Sequence, residues 1–311
     1  MAFSIGMNFH IIHMTDDLRE LDGWYYDIFS VQRFMPDSYG AGEVRDASLV
    51  LVGDLCVETL APAFRIDGWD QKPLGRYYRR HGKRFHSLAW YMDDGMGELY
   101  HDLMAAGIRC YGSGGVKLGG DEPPMTMFTH PRDTSTQLEF VASNIATMMR
   151  DPRFGDSWSP AWWADRHPLR VQKFSHATVT TWDLDRSLAV YVGILKGQLI
   201  HEGAVSSHGS QSAFVLVGRD LLVELARPVG NSESSLIARD MERFHESLYS
   251  VTYRVADLVQ AEEYLGRKGV KFLVNDGATL VTDPASTHGC VMEFTTESVP
   301  GDPRPDWTEQ A

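Results

Sequence analysis

Two stretches of this chain, 166 residues apart, are copies of one another, and each carries a His early and a Glu late. The first runs His10-x6-Asp17-Leu18, Trp24-Tyr25, Asp54-Leu55-Cys56-Val57-Glu58 and Pro62. The second runs His176-x6-Asp183-Leu184, Val190-Tyr191, Asp220-Leu221-Leu222-Val223-Glu224 and Pro228. The offset of 166 holds from 10 to 176, from 58 to 224 and from 62 to 228. A repeat of this length is a whole structural unit, so the fold must contain that unit at least twice. Both copies keep two side chains able to bind a metal ion, which constrains function as well as fold.

Between the copies the same order of elements recurs. Met7 to Thr15 reads as a strand, and Leu18 to Phe29 as a helix with apolar residues at helical spacing behind an Asp suited to N-capping. Ser48 to Val52 and Leu55 to Leu60 read as two strands joined by a tight Gly53-Asp54 turn. A second unit follows, with a strand at Phe85 to Met92, a helix at Met96 to Ala106 ended by Gly107, and strands near 108–111, 125–129 and 137–142. The pattern breaks over 143–172, where three prolines and Trp158, Trp162 and Trp163 suggest a connector packed against something apolar. It restarts at Phe174 with a helix at Leu184 to Leu195 and a hairpin at Phe214 to Leu225. The last unit has a strand at Tyr249 to Val255, a helix at Leu258 to Arg267 and three closing strands. The predicted organisation is a first domain over 1–145, a connector over 146–170, a second domain over 171–298 and a loose polar tail over 299–311.

Four strand–helix–three-strand units, opening on His-x6-Asp and closing on a Glu-bearing strand, resemble the vicinal oxygen chelate superfamily. That group includes glyoxalase I, methylmalonyl-CoA epimerase, extradiol ring-cleavage dioxygenases and bleomycin-resistance proteins. The resemblance implies an α+β fold of four βαβββ units in two tandem pairs, each pair curling into a half-barrel cup. It also implies one divalent metal ion, held by side chains from the first and last strands of each unit. Residue by residue, this assigns His10, Glu58, His86 and Glu139 as metal ligands in the N-terminal cup, within Phe9-His10-Ile11, Cys56-Val57-Glu58, Phe85-His86-Ser87 and Leu138-Glu139-Phe140. The C-terminal pair offers His176, Glu224 and Glu293 as a second, degenerate site. Its second His is missing, because neither Ser250 nor Leu248, at the matching positions, is a His.

Two imidazoles and two carboxylates suit Ni, Co, Zn, Fe or Mn, and no thiol pair is present for a soft site. Strand alternation groups Leu60 with Glu58, and Leu88 and Trp90 with His86, so these three are expected as apolar walls of the substrate pocket. Four protein ligands would leave about two positions for substrate oxygens. That favours a glyoxalase-like lyase or isomerase acting on a small oxygenated molecule, with Glu58 or Glu139 doubling as the catalytic base. The alternative is an Fe(II)-dependent extradiol-type dioxygenase using His10, His86 and Glu139. A second alternative is a metal-free binding or resistance protein.

Composition narrows the partners. The formal net charge is −13 and the densest basic run is Arg79-Arg80-His81-Gly82-Lys83-Arg84, so nucleic acid is not an expected partner. That run reads as a solvated loop able to attract an anionic substrate locally. No apolar stretch is long enough to cross a membrane, no secretory leader is read at the start, and the three cysteines are widely spaced. A cytoplasmic protein is expected, and since four units can close two cups within one chain, no dimer is required. Gly112 to Gly120 lacks the ending of a phosphate loop and is expected as a flexible loop over the pocket. His13 is expected to pack between sheet and helix, and His201, His208 and His288 to have no functional partner.

Overall fold

The computed structural model describes residues 2–119 and 125–307. Sixteen strands form two eight-stranded sheets. The first contains β1 (Ser4–Met14), β2 (Gln32–Gly40), β3 (Arg45–Val52), β4 (Leu55–Pro62), β5 (Arg84–Asp94), β6 (Cys110–Tyr111), β7 (Thr126–Thr129) and β8 (Gln137–Val141), in the order β2-β3-β4-β1-β5-β8-β7-β6. The second contains β9 (Val171–Thr180), β10 (Gln198–Val205), β11 (Ser210–Val217), β12 (Leu221–Pro228), β13 (Leu248–Val255), β14 (Phe272–Asn275), β15 (Thr279–Thr282) and β16 (Val291–Thr295), in the matching order β10-β11-β12-β9-β13-β16-β15-β14. Each unit's first strand lies parallel to its last, and the two units of a sheet meet at an antiparallel β1–β5 or β9–β13 seam. Each seam therefore brings together four strands, a first and a last from each unit. This is the α+β arrangement of four units in two tandem pairs.

The first helix, α1 (Leu18–Phe29), starts where the Asp17 carboxylate accepts from the Arg19 and Glu20 amides, and it buries Leu18, Leu21, Tyr25, Ile28 and Phe29. Asp183 and Asp257 cap the helices beginning at Leu184 and Leu258 in the same way. The helix expected over 184–195 is α-helical only to Leu188 and continues as a π-helical segment to Ile194. Several further elements fall where no strand or helix was expected. They include β2, β10, a helix over Leu236–Phe244 and the helix α2 (Pro73–His81), which places the first part of the basic run on a helix that ends at His81.

One hydrophobic core runs through both halves, joining Trp90, Phe140 and Phe29 to Tyr253, Phe294 and Val217. Phe29 meets Tyr253 at 5.4 Å, and the Trp90 indole donates to the Val217 carbonyl at 3.2 Å. The Asp220 carboxylate accepts from the Asn8 amide at 2.7 Å, and Trp163 donates to the Phe29 carbonyl at 2.8 Å. The sheets thus share their convex sides and turn their concave sides outward. Trp163 of the connector is buried in this core, as the tryptophan cluster implied. The expected loose tail is packed: Trp307 is buried, its amide donates to the Gln172 carbonyl at 2.6 Å, and its indole donates to Asp54 at 2.8 Å. Gln172 and Asp54 lie in opposite halves, so the segment straps them together; residues 308–311 lie outside the described residues. Among the described residues no helix is long and apolar enough to cross a membrane.

Removing the Trp307 side chain should leave a cavity across the two halves. Trp307→Ala is expected to lower unfolding free energy by about 3–5 kcal/mol in chemical denaturation, whereas a loose tail would leave the midpoint unchanged.

Candidate metal centre in the N-terminal cup

The concave side of the first sheet encloses a cavity of about 570 Å³. His10, Glu58, His86 and Glu139 all line it, and each is at most 7% exposed. Pairing explains why. Ile12 faces Glu58 across the parallel β1–β4 ladder, and Ala89 faces Glu139 across β5–β8. The His10 ring makes no well-formed hydrogen bond through either nitrogen. Its Nε2 lies instead 3.2 Å from Glu58 Oε2 and 3.3 Å from Glu139 Oε2. Two donors bound at right angles to one divalent ion, each at about 2.1–2.2 Å, lie about 3 Å apart, so these spacings fit neighbouring positions on a single ion. Among the described residues, no set of three or more His, Cys, Asp or Glu side chains is yet gathered closely enough to hold an ion as it stands. Loading would therefore need small side-chain movements, and the donor set itself fits a borderline divalent metal.

Burial draws the His10 imidazolium down, but the Glu58 and Glu139 carboxylates outweigh it and leave His10 raised. Burial, with His81 and His10 nearby, holds His86 down at about 3. His86 is thus neutral and has a lone pair available near pH 7. Its ring sits edge-on to Tyr77 of α2 at 4.3 Å, and the Tyr77 hydroxyl donates to the Phe85 carbonyl at 3.0 Å. The cup is therefore closed on one side by the helix that was not expected.

Two further residues in the cup escaped the sequence reading. Arg45 Nη2 lies 2.9 Å from Glu58 Oε1, and the Glu58 charge is the main cause of the raised Arg45 value. The available signal was register: Leu49 pairs with Glu58, so 45, 47 and 49 lie on the cup face of β3. Glu43, raised by burial and by Glu139, accepts from the Ser113 hydroxyl at 3.1 Å. This places Gly112 to Gly115 of the glycine-rich segment against the cavity, as the sequence implied, while Gly120 lies outside the described residues.

The expected apolar walls need correction. Leu88 and Trp90 face the shared core and do not line the cavity. His13 pairs with Phe85 but Ile11 with Leu88, so two residues of β1 span three of β5. This bulge turns the strand over after His86, and Ala89 and Tyr91 take the cup side instead. Leu60 does lie on the cup side, sealed beneath Ile12 and Leu74, and it is Ile12, Leu49 and Leu74 that reach the cavity. His13 packs as expected, with Nδ1 2.9 Å from the Tyr25 hydroxyl.

The C-terminal cup holds His176, Glu224 and Glu293 near one another, with His176 Nε2 3.4 Å from Glu224. The strand pairing confirms the missing His. Thr252 faces Glu293 as Ala89 faces Glu139, so Tyr249 stands where His86 stands in the first cup. His208, read as partnerless, instead fills this cup. Its Nε2 lies 3.1 Å from Glu224 and its Nδ1 3.2 Å from Glu293. Thr178 and Ser212 each donate to Glu224 at 2.6 Å, and Ser250 donates to Glu293 at 2.9 Å. Burial lowers His208, but the two carboxylates push it up to about 10, so it is an imidazolium between two carboxylates. By strand register its counterpart is Glu43: Leu49 and Phe214, 165 residues apart, face Glu58 and Glu224, and the next turn residues, Val44 and Gly209, both have positive φ.

No known protein-family profile matches the chain, and no curated protein matches it. Solved structures do. A mutant of 4-hydroxymandelate synthase from Streptomyces coelicolor aligns over 96% of this chain and 95% of its own, at 14% identity and a TM-score of 0.64. Methylmalonyl-CoA epimerase from Mycobacterium tuberculosis aligns over 42% of this chain and 90% of its own, at 25% identity and a TM-score of 0.38. The chain has the vicinal oxygen chelate fold in its tandem, two-domain form.

His208 stabilises the fold in a pH-dependent way. Its folded value lies above the ordinary 6.5, so its contribution is complete below about pH 6.5 and is lost as pH rises through about 10. His208→Gln strands two buried carboxylates and is expected to cost about 3–5 kcal/mol near neutral pH. Denaturation midpoints measured from pH 6 to 10 should fall in the parent and stay flatter in this variant.

Proposed function

We propose that the protein is a divalent-metal-dependent lyase or isomerase of the glyoxalase type, acting on a small oxygenated substrate in the N-terminal cup. The observation that carries this reading is the convergence of Glu58 and Glu139 on the unpartnered His10 Nε2. His10, His86, Glu58 and Glu139 would hold the ion, which would polarise a carbonyl or hydroxy-carbonyl oxygen of the substrate. Arg45 holds Glu58 through its other oxygen. Glu139 has no such tether and is the better candidate to take a proton from the carbon beside the polarised carbonyl and return it. Ile12, Leu49 and Leu74 exclude water from the polar floor, which strengthens these interactions.

A second reading is favoured by the Arg45–Glu58 pair. Arg45 gives Glu58 a counter-ion other than a metal, leaving His10, His86 and Glu139 as the two-His, one-carboxylate set of an Fe(II) oxygenase. Oxygen uptake on catechols by the Fe(II)-loaded protein, and none by the Ni or Co form, would decide for it.

Metal analysis after reconstitution tests the first reading. The parent should retain about one divalent ion per chain and His10→Ala none. Glu139→Gln should keep the ion but lose about 10²–10⁴ in turnover, the usual size of a general-base contribution. A parent that retains no ion under any loading condition would remove both enzymatic readings.

A further inference from the structure

A second cavity of about 1120 Å³ adjoins the N-terminal cup, and Arg76, Tyr77, His86, His130, Pro131 and Gln137 line both. It runs from α2 and the turn at His130 towards Trp182 and Phe244 in the C-terminal half. Its lining holds five arginines (Arg76, Arg79, Arg80, Arg132 and Arg186) against three carboxylates, in a chain whose net charge is −13. All three carboxylates are already engaged. Asp70 lies 2.5 Å from Arg79, Glu246 lies 2.5 Å from Arg186, and Asp183 caps the helix that begins at Leu184. Arg76, Arg80 and Arg132 are exposed and have no carboxylate partner among the described residues. His81, in the same wall, is driven down to about 4 by burial and by the positive charges of Arg84 and Arg80. Unpaired guanidinium groups around a concave surface focus positive potential and match carboxylate or phosphate oxygens in pairs.

We propose that the substrate of the N-terminal cup carries an anionic arm, phosphate or carboxylate, which lies in this groove against Arg76, Arg80 and Arg132 while the oxygenated end enters the cup. The inference rests on the reading of the cup as the reactive site. The groove begins where His86 and Tyr77 end the cup, so one extended molecule can occupy both. Tyr77 supplies an apolar ring at the junction, and the arginines of α2 and the His130 turn supply the charge on either side. A substrate of this kind is steered towards a protein that would otherwise repel it.

The test uses the full chain stripped of metal, so that anion binding is read without any contribution from the cup. Inorganic pyrophosphate and succinate are titrated in separate calorimetric experiments at low ionic strength. Saturable 1:1 binding of at least one is expected, weakened about tenfold or more in R80A/R132A and unchanged in His10→Ala and in Arg19→Ala, an exposed arginine on α1. Pyrophosphate binding alone assigns a phosphate arm, and succinate binding alone a carboxylate arm. No saturable binding of either, or equal binding by R80A/R132A, overturns the proposal. Failure of the cup reading shows separately, as retention of metal by His10→Ala with anion binding intact.

Discussion

Each sheet brings two glutamates and a histidine to the floor of a cup, and two buried carboxylates demand positive charge. Without a counter-ion their desolvation would oppose folding of the strands that carry them. The second cup meets the demand internally, with His208 between Glu224 and Glu293 and three hydroxyls completing the network. The first meets it in part through Arg45, which binds one oxygen of Glu58 and leaves Glu139 facing His10. The proposed function rests on that difference in how the same electrostatic requirement is met.

One turn position carries part of the difference. Residues 43 and 208 occupy the same place in the turns before β3 and β11, and the first is Glu while the second is His. Where His208 stands, its ring fills the space between the carboxylates. Where Glu43 stands, no imidazole is supplied and the cavity stays open, so that under the proposed function its carboxylates would take an exchangeable cation. The shared core holds both cups in one body: Trp90 bonds Val217, Phe29 meets Tyr253, and Trp307 ties Asp54 to Gln172. One cup can then serve as scaffold for the other.

Much of this was legible in the chain itself. The 166-residue repeat, the Asp caps and the His and Glu positions led to the four units, the two tandem pairs and the cup-facing placement of His10, Glu58, His86 and Glu139. What was not legible depends on long-range geometry. The bulge that turns β5 over after His86 arises from pairing with β1, so Leu88 and Trp90 could not be assigned to the core by alternation alone. Helix α2 is short and arginine-rich, and its stability comes from packing over the cup rather than from its own periodicity. His208 reaches its carboxylates from the turn between β10 and β11, where strand spacing offers no guide. Arg45 reaches Glu58 from four residues beyond the cross-strand neighbour Leu49, a distance that only a long side chain spans.

Under the proposed function the first cup takes a metal ion and the second does not, because its cation is built in. Anomalous diffraction from crystals of the parent protein loaded with cobalt or manganese tests it most directly. One peak is expected, within coordination distance of His10 Nε2, Glu58 and Glu139, and none beside His176. A peak between Glu224 and Glu293, or none in the first cup at saturating metal, would contradict it.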